Sequence, residues 1–440
     1  MINSEMDSKM ETVIRSLPED WKVVKLGDIG KFQYGYTETA TLKPVGPKFL
    51  RITDISDEGV INWATVPYCT IDETNFKKYE LREGDILIAR IGATTGKTCI
   101  IKNPPQSVFA SYLIRFFPKI ELANPSFIYY FTKNDLYWQQ INAIKEGKLK
   151  KGVSVSLLKN LLVPLPPLPE QKKIAHVLST IQEAKEKTEA VIKAVKELKK
   201  SLMKYLFTYG PVPFNEAENV KLKETEIGLI PEDWEVVKLG ELTTNIVDCL
   251  HSKKPARVEK GKILLQVYNI DKNGNLDLSN LYLISEKDFL EWSRRIKPRK
   301  GDIIISKVGR VGAIAHVDTD REFAIGRNLV VIRPDHNKVF SLFLKHFMLS
   351  PSFRKEVKRL THVGTIHKSL HVKQVPNILV PLPPLPVQQK IASILSAVDE
   401  KIEKEENKKR ALEGLFKTML HNLMTGKVRV KDLEVENEEA

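Results

Sequence analysis

The sequence is poor in cysteine. Cys69, Cys99 and Cys249 are its three, far apart and odd in number. That count argues against a disulfide framework, and without a Cys-x-x-Cys pair the common zinc-binding grammar is missing too. No uncharged apolar run approaches the ~18 residues that a membrane helix requires. Met1 to Ser16 is polar and carries no apolar core of the secretory kind. The expectation is a reduced, cytoplasmic protein with no membrane segment. Acidic residues are also in deficit: 55 Asp and Glu face 69 Lys and Arg, a formal net charge of +14. Such an excess suits an anionic partner, nucleic acid before a membrane surface.

What is present is enough for several cores. Apolar residues are 42% of the 440, and at about 100–200 residues per domain the chain holds two to four domains. It is also written twice. Pro18-Glu-Asp-Trp-Lys-Val-Val-Lys-Leu-Gly27 returns as Pro231-Glu-Asp-Trp-Glu-Val-Val-Lys-Leu-Gly240. Gly84-Asp-Ile-Leu-Ile-Ala-Arg-Ile-Gly92 returns as Gly301-Asp-Ile-Ile-Ile-Ser-Lys-Val-Gly309, and Val163-Pro-Leu-Pro-Pro-Leu-Pro-Glu-Gln171 as Val380-Pro-Leu-Pro-Pro-Leu-Pro-Val-Gln388. Three matches in the same order at nearly one spacing mean a domain duplication rather than a solenoid. Between the landmarks, Lys31 to Glu83 and Glu241 to Lys300 show little resemblance. One frame carries two different contents.

Each half reads as a mixed segment with β-rich stretches, such as Asp85 to Arg90 and Phe323 to Ile332, and helix-like patches at Pro125 to Ile144 and Phe340 to Leu349. A proline-rich hinge follows, Pro164 to Pro169 or Pro381 to Pro386, expected to be extended and stiff. Then comes a 3.5-residue apolar repeat. Its apolar positions include Ile174, Leu178, Ile181, Ile192, Val195 and Leu202 in the first copy. In the second they include Ile391, Leu395, Val398, Ile402, Leu412, Phe416 and Met419. Both copies share one phase and a polar interruption near the same place, which predicts two long helices forming a coiled coil with each other. The competing reading is two helices packed on their own domains. About five heptads span roughly 50 Å, comparable to the ~34–36 Å turn of B-DNA.

No motif supplies chemistry. Gly92-Ala-Thr-Thr-Gly96-Lys97 has three residues between its glycines where a nucleotide loop needs four, and the second copy has no lysine there. It reads better as a glycine-rich turn with Arg90, Thr94, Thr95, Lys97, Lys307 and Arg310 placed for phosphates or guanine edges. Asn103-Pro-Pro-Gln106 lacks the aromatic residue that stacks a flipped base and reads as a turn. His367 and His371 lack the glutamate of a metalloprotease helix, and no metal site is expected. No helicase motif or nuclease acid set stands out, so no catalytic residue is named. The binding candidates are loops: Tyr34 and Tyr36 in the first half and His251, Ser252, Lys253 and Lys254 in the second. Two basic segments join them, with Lys148, Lys150 and Lys151 in one half and His367 and Lys368 in the other.

Together these repeats resemble the specificity subunit of Type I restriction–modification systems over about residues 16–426. The Asp248 to Pro255 loop is similar to that family's Asp-x-x-His-x-x-Pro loop, from which the first half departs. The resemblance implies an α+β chain with two mixed α/β target-recognition domains, separated by two long helices forming an antiparallel coiled coil with an internal pseudo-two-fold axis. The boundaries expected are an N-terminal segment 1–15, recognition domain 16–165, hinge and helix 166–210, linker 211–228, recognition domain 229–380, hinge and helix 381–426 and an acidic tail 427–440. It implies a non-catalytic subunit that reads a bipartite, asymmetric site on double-stranded DNA. Its protein partners would be two modification (methyltransferase) subunits and the restriction (endonuclease/translocase) subunits. S-adenosylmethionine and ATP would be bound by those partners, and no cofactor by this chain. A non-catalytic coiled-coil scaffold binding proteins or RNA is the alternative reading.

Overall fold

A computed structural model describes residues 16–56, 58–146, 152–361 and 369–430. The chain falls into two compact units, Met1–Glu189 with Asn407–Ala440, and Ala190–Glu406.

The first unit is built on a four-stranded antiparallel sheet in the order Gly30–Tyr34, Leu113–Pro118, Ile86–Ala89, Thr98–Ile100. Ile86-Leu-Ile-Ala89 has no polar alternation because both faces of the sheet are covered. Ile86, Ile88, Ile114 and Phe116 face a core that includes Phe127, Tyr137, Ile174 and Leu178. Leu87, Cys99 and Leu113 face the other way, onto Leu50, Val66 and Phe109. That second layer holds a parallel pair, Lys48–Leu50 with Ser107–Phe109, and the helix Glu73–Tyr79.

The second unit repeats this plan. Its sheet runs Thr243–Asp248, Leu329–Pro334, Ile303–Ser306, Ile314–His316. Ile303, Ile305, Val330 and Ile332 face a core with Met203, Leu206, Phe343 and Leu395. Ile304, Val331 and Leu329 face Leu264, Phe289, Trp292 and Phe323. Lys262–Leu265 pairs in parallel with Phe323–Ile325, and a helix again precedes the central strand, Glu286–Trp292. So the segments Lys31 to Glu83 and Glu241 to Lys300, which share little sequence, share an architecture. What the two segments keep in common is the pattern of buried positions facing the sheet, not the residues that fill them.

The hinge departs from the expectation of one stiff extended stretch. Leu162–Leu165 is a strand that pairs antiparallel with Lys22–Lys25, and Leu379–Leu382 pairs likewise with Glu235–Lys238. The opening motif and the hinge of each copy are thus hydrogen-bonded partners. Pro164 and Pro381 are tolerated because a two-stranded ladder has only edges. The helices begin at Leu168 and Leu385, with Pro169 and Pro386 in the first turn, where a missing N–H costs nothing.

One glutamine per copy fixes that junction. Gln171 accepts from the Asn124 N–H (2.8 Å) and donates to the Pro166 and Leu122 carbonyls (2.9 and 3.1 Å). Gln388 accepts from the Phe340 N–H (2.8 Å) and donates to Pro383 and Lys338 (2.8 and 3.2 Å). Both side chains are buried.

The long helices span Leu168–Tyr209 and Leu385–Met424. In the first unit Lys185 meets Glu413 (3.8 Å) and Glu189 meets Lys409 (2.8 Å). In the second, Lys196 meets Glu406 (2.6 Å) and Lys199 meets Asp399 (2.5 Å). Within each unit one number rises as the other falls, so the pairing is antiparallel. Ile174, Leu178, Ile192, Ile391, Leu395 and Ile402 are buried, while Ile181, Val195, Leu202, Val398, Leu412, Phe416 and Met419 are half-buried. The polar interruption is where the pairing is ionic: Lys185, Lys199 and Lys409 occupy apolar-phase positions and reach carboxylates. Such pairs contribute little energy, about 0.2–1 kcal/mol each, but they fix register.

After the second helix, Gly426 (φ +68°) turns the chain against Pro18. Arg429 then ion-pairs with Asp20 (2.8 Å) and Glu170 (2.6 Å), whose other oxygen accepts from the Trp21 indole N–H (3.2 Å). Lys427 to Val430 thereby belong to the first unit's packing; 431–440 lie outside the described residues.

Candidate nucleic-acid interface

The loops that leave one end of each sheet carry the exposed polar groups, and backbone hydrogen bonds make the two units comparable position by position. The Ala110 and Gly326 amides donate to Leu50 and Leu265 (2.9 and 2.8 Å); those of Leu113 and Leu329 close the turns onto Ala110 and Gly326 (2.9 and 3.0 Å). The Arg90 and Lys307 amides donate to Tyr112 and Asn328 (2.9 and 2.8 Å). On the edge strands, Tyr34 stands opposite Ile114 and Asp248 opposite Val330. Tyr34 therefore corresponds to Asp248, Arg90 to Lys307, Arg51 to Gln266, and Ser111-Tyr112 to Arg327-Asn328.

In the first unit Arg90 lies over the Tyr34 ring, 4.8 Å from its centroid, and the Tyr34 hydroxyl accepts from the Val155 N–H (3.1 Å). Tyr34 remains 40% exposed, Tyr112 is 55% exposed and half-buried Tyr36 leans on Tyr79 (5.3 Å between centroids). Arg51 spends its guanidinium on Asp54 (3.0 and 2.8 Å). The glycine-rich turn joins Ile86–Ala89 to Thr98–Ile100, as expected. Gly92 (φ +81°) is open on all sides, whereas a Cβ at Gly96 (φ +88°) would sit 2.6 Å from Ile141. Thr94 and Lys97 are half-buried on this turn. Thr95 points inward at 1% exposure and donates to the Gly92 carbonyl (2.8 Å), so its side chain serves the turn itself.

In the second unit the corresponding edge is ionic. Asp248, buried at the end of its strand, takes His251 Nε2 (2.5 Å), Lys307 Nζ (3.5 Å) and Arg295 Nη1. Burial alone would push this carboxyl up, but the His251 hydrogen bond and the charges of Arg295 and Lys307 outweigh it and hold it below the ordinary range. The loop beyond is pinned at several points. Arg327 donates twice to the Ser252 carbonyl (3.0 and 2.5 Å), Lys254 sits 3.9 Å over the Tyr282 ring, and the Tyr282 hydroxyl donates to Pro255 (2.8 Å). Lys253 and His251 are exposed. Arg310 is exposed too, yet donates to the Ile270 carbonyl (2.6 Å). Lys148, Lys150, Lys151, His367 and Lys368 lie outside the described residues.

The family model for the Type I restriction modification DNA specificity domain matches twice, at residues 18–197 and 231–414. The chain belongs to this family. A putative type I restriction enzyme specificity subunit of Methanocaldococcus jannaschii, MjaX, is 30% identical over 434 residues, covering 96% of each chain. The EcoBI specificity subunit of Escherichia coli is 29% identical over 311 residues, 66% of this chain and 64% of that one. Among solved structures, the Type I S subunit from M. genitalium superposes with a TM-score of 0.61 at 18% identity, covering 93% of this chain and 98% of that one. At that identity the likeness speaks for the fold alone.

As a specificity subunit the chain uses its duplication to present different groups at corresponding positions. Of the sequence candidates, Tyr34, Arg90, Lys307 and the His251 to Lys254 loop lie at these corresponding edges, together with Arg51, Gln266, Arg327 and Asn328, which the sequence did not single out. No local motif marks these; only the parallel strand pairs bring them to the same edge. Among the described residues no cluster of His, Cys, Asp or Glu is placed to hold a metal ion, and no helix is long and apolar enough to cross a membrane.

Proposed function

We propose that this specificity subunit reads a bipartite, non-palindromic site on double-stranded DNA, one half with residues 16–165 and the other with residues 229–380. The observation that carries this reading is the chemical difference at matched positions. In one domain a cation rests on an aromatic ring (Arg90 on Tyr34), where in the other a carboxylate, Asp248, holds Lys307, Arg295 and the His251 imidazole. Two domains with one frame and unlike edges suit two unlike half-sites. The helices of 166–210 and 381–426 would set the distance between half-sites and offer the docking surface for two modification subunits, with restriction subunits joining them. Catalysis, S-adenosylmethionine and ATP belong to those partners, and adenine N6 methylation with its base flipping is theirs to perform. Tyr36, Lys97, Lys253, Lys254, Arg310 and the basic segments at 148–151 and 367–368 would meet phosphate and hold the domains in register. The complex would work in the cytoplasm, where the DNA is.

The test is binding of the full chain, with its modification subunit, to duplex DNA drawn from a methylated host site. Binding should survive excess unrelated duplex and weaken steeply with salt, log affinity falling by about 0.9 per neutralised phosphate per log unit of salt. A flat salt dependence, or complete loss to unrelated competitor, would move the weight to the scaffold reading.

A further inference from the structure

Beside the pinned loop of the second unit lies a cleft of about 210 Å³ whose rim is Lys254, Gln266, Arg327 and Asn328 and whose floor includes Trp292 and Leu264. Among the described residues no carboxylate lines it. Its polar groups are unequal in what they have left to offer. Arg327 is the obvious candidate for a guanine, yet its Nε and Nη2 both donate to the Ser252 carbonyl. That uses one edge of the fork on the loop. Lys254 lies over Tyr282 and supplies a point charge. Asn328 differs. Its carbonyl accepts the Lys307 amide, so its backbone is fixed, while its exposed side-chain amide makes no hydrogen bond among the described residues. Gln266 has its backbone tied to the Asn269 side chain (2.9 Å) and gives one amide proton to the Leu264 carbonyl (3.2 Å), leaving its oxygen and second proton.

We propose that Asn328, supported by Gln266, is a base-reading residue of the second domain and selects an adenine, with Arg327 acting as a positioning residue that holds the loop Cys249 to Pro255 at the rim. This rests on the proposed reading of DNA by residues 229–380. The chemistry is specific: a side-chain amide offers one acceptor and one donor side by side, the complement of adenine N6–H and N7, whereas guanine N7 and O6 require two donors. A rigid backbone under a free amide is what such readout needs, because the side chain then has only its own rotamers to lose on binding. The first domain places Ser111-Tyr112 at the corresponding turn and Arg51, already committed to Asp54, at the Gln266 position, so this amide contact to adenine belongs to the second domain's half-site only.

The experiment is selection of bound sequences from a randomised duplex pool by the full chain with its modification subunit. Wild type, Asn328→Ala, Asn328→Asp and Arg327→Lys are compared. Wild type should enrich a split motif with at least one adenine in one half. Asn328→Ala should lower the preference at one adenine position about tenfold or more, leaving the other half-site unchanged. Asn328→Asp, which keeps the shape but loses the donor, should do the same, with cytosine gaining at that position. Arg327→Lys should weaken enrichment of the whole half-site without changing its consensus. An unaltered preference in both Asn328 variants, with the motif otherwise selected, would overturn the assignment while leaving the proposed function standing. Failure of the wild type to enrich any motif would bring down the functional reading itself.

Discussion

At one strand position the first recognition domain has Tyr34 and the second has Asp248; facing them, Arg90 and Lys307 also correspond. The first pair is a cation resting on a ring, half open to water. The second is an ion pair drawn tight by Arg295 and the His251 imidazole, with Lys307 only 12% exposed. Immediately beneath, the two sheets match strand for strand. The difference teaches where freedom lies in this fold. Inward-facing side chains such as Ile88 and Ile305 are fixed by packing between two layers, where even a methylene is felt. The residues at the sheet edge answer only to their neighbours and to a ligand. A duplicated frame can therefore diverge in what it presents without disturbing what it buries.

The comparison breaks most visibly at Asp248. Asp248→Ala removes the acceptor for Lys307, Arg295 and His251 and leaves Lys307 half-stranded. A loss of roughly 2–3 kcal/mol is expected, below that of a fully buried pair because Arg295 and His251 are solvated. Tyr34→Ala loses an exposed cation–π contact and the Val155 N–H bond, together about 1–2 kcal/mol. Urea unfolding of the two variants should show that order; the reverse would mean that the edges are not chemically distinct. The frame predicts the opposite pattern, equality. Gln171→Ala and Gln388→Ala each delete three hydrogen bonds at a buried junction and should each cost about 2–3 kcal/mol. A large difference between them would show that the two junctions are alike only in sequence.

Acid sharpens the comparison further. His346 and His316 are buried in the second unit. Desolvation, aided by neighbouring cations, pushes His346 down to about 3 and His316 to about 4. His346 is therefore a neutral imidazole, hydrogen-bonded to Ser396 (3.1 Å), and its 3.9 Å approach to Asp399 is not an ion pair. The sign follows directly. The unfolded chain takes up these protons near pH 6.5 while the folded unit refuses them, so stability is full above that pH and falls as it drops toward 4. The slope is at most about 1.4 kcal/mol per pH unit for each histidine. The first unit's histidines among the described residues, His176 and His421, are both exposed. Hydrogen exchange at pH 7 and pH 5 should show protection falling in Ala190–Glu406 and holding elsewhere; equal loss in both would refute the assignment. The smallest effect is at Lys253: Lys253→Ala should reduce the salt slope of binding by about 0.9 with little change in consensus.

Much of this was legible in the sequence. The Trp21 and Trp234 openings, the Gly-Asp-Ile strands and the heptad phase announced two copies of one domain and a pair of long helices. What was not legible depends on contacts between distant residues. The Pro164 and Pro381 segments looked like stiff spacers because their strand partners, Val23 and Val236, lie over a hundred residues upstream. Gln171 and Gln388 were visible as shared residues, but a lone glutamine after prolines does not disclose three buried hydrogen bonds. Arg429 reaches Asp20 across almost the whole chain. At the candidate site, the glycine-rich turn makes Thr95 a candidate for DNA contact, but its buried hydroxyl closes the turn onto the Gly92 carbonyl. Asn328 escaped because nothing local distinguishes it from any loop asparagine.

The most direct test exchanges residues 241–380 for the corresponding segment of a relative with a different DNA site. The chain is co-expressed with its modification subunit and N6-methyladenine is mapped in the host DNA. If the two domains read separate halves, the methylated motif stays split, keeps one half and the spacer length, and changes the other half to that of the donor. A motif that is unchanged, or altered in both halves at once, would contradict the assignment of one half-site to each domain.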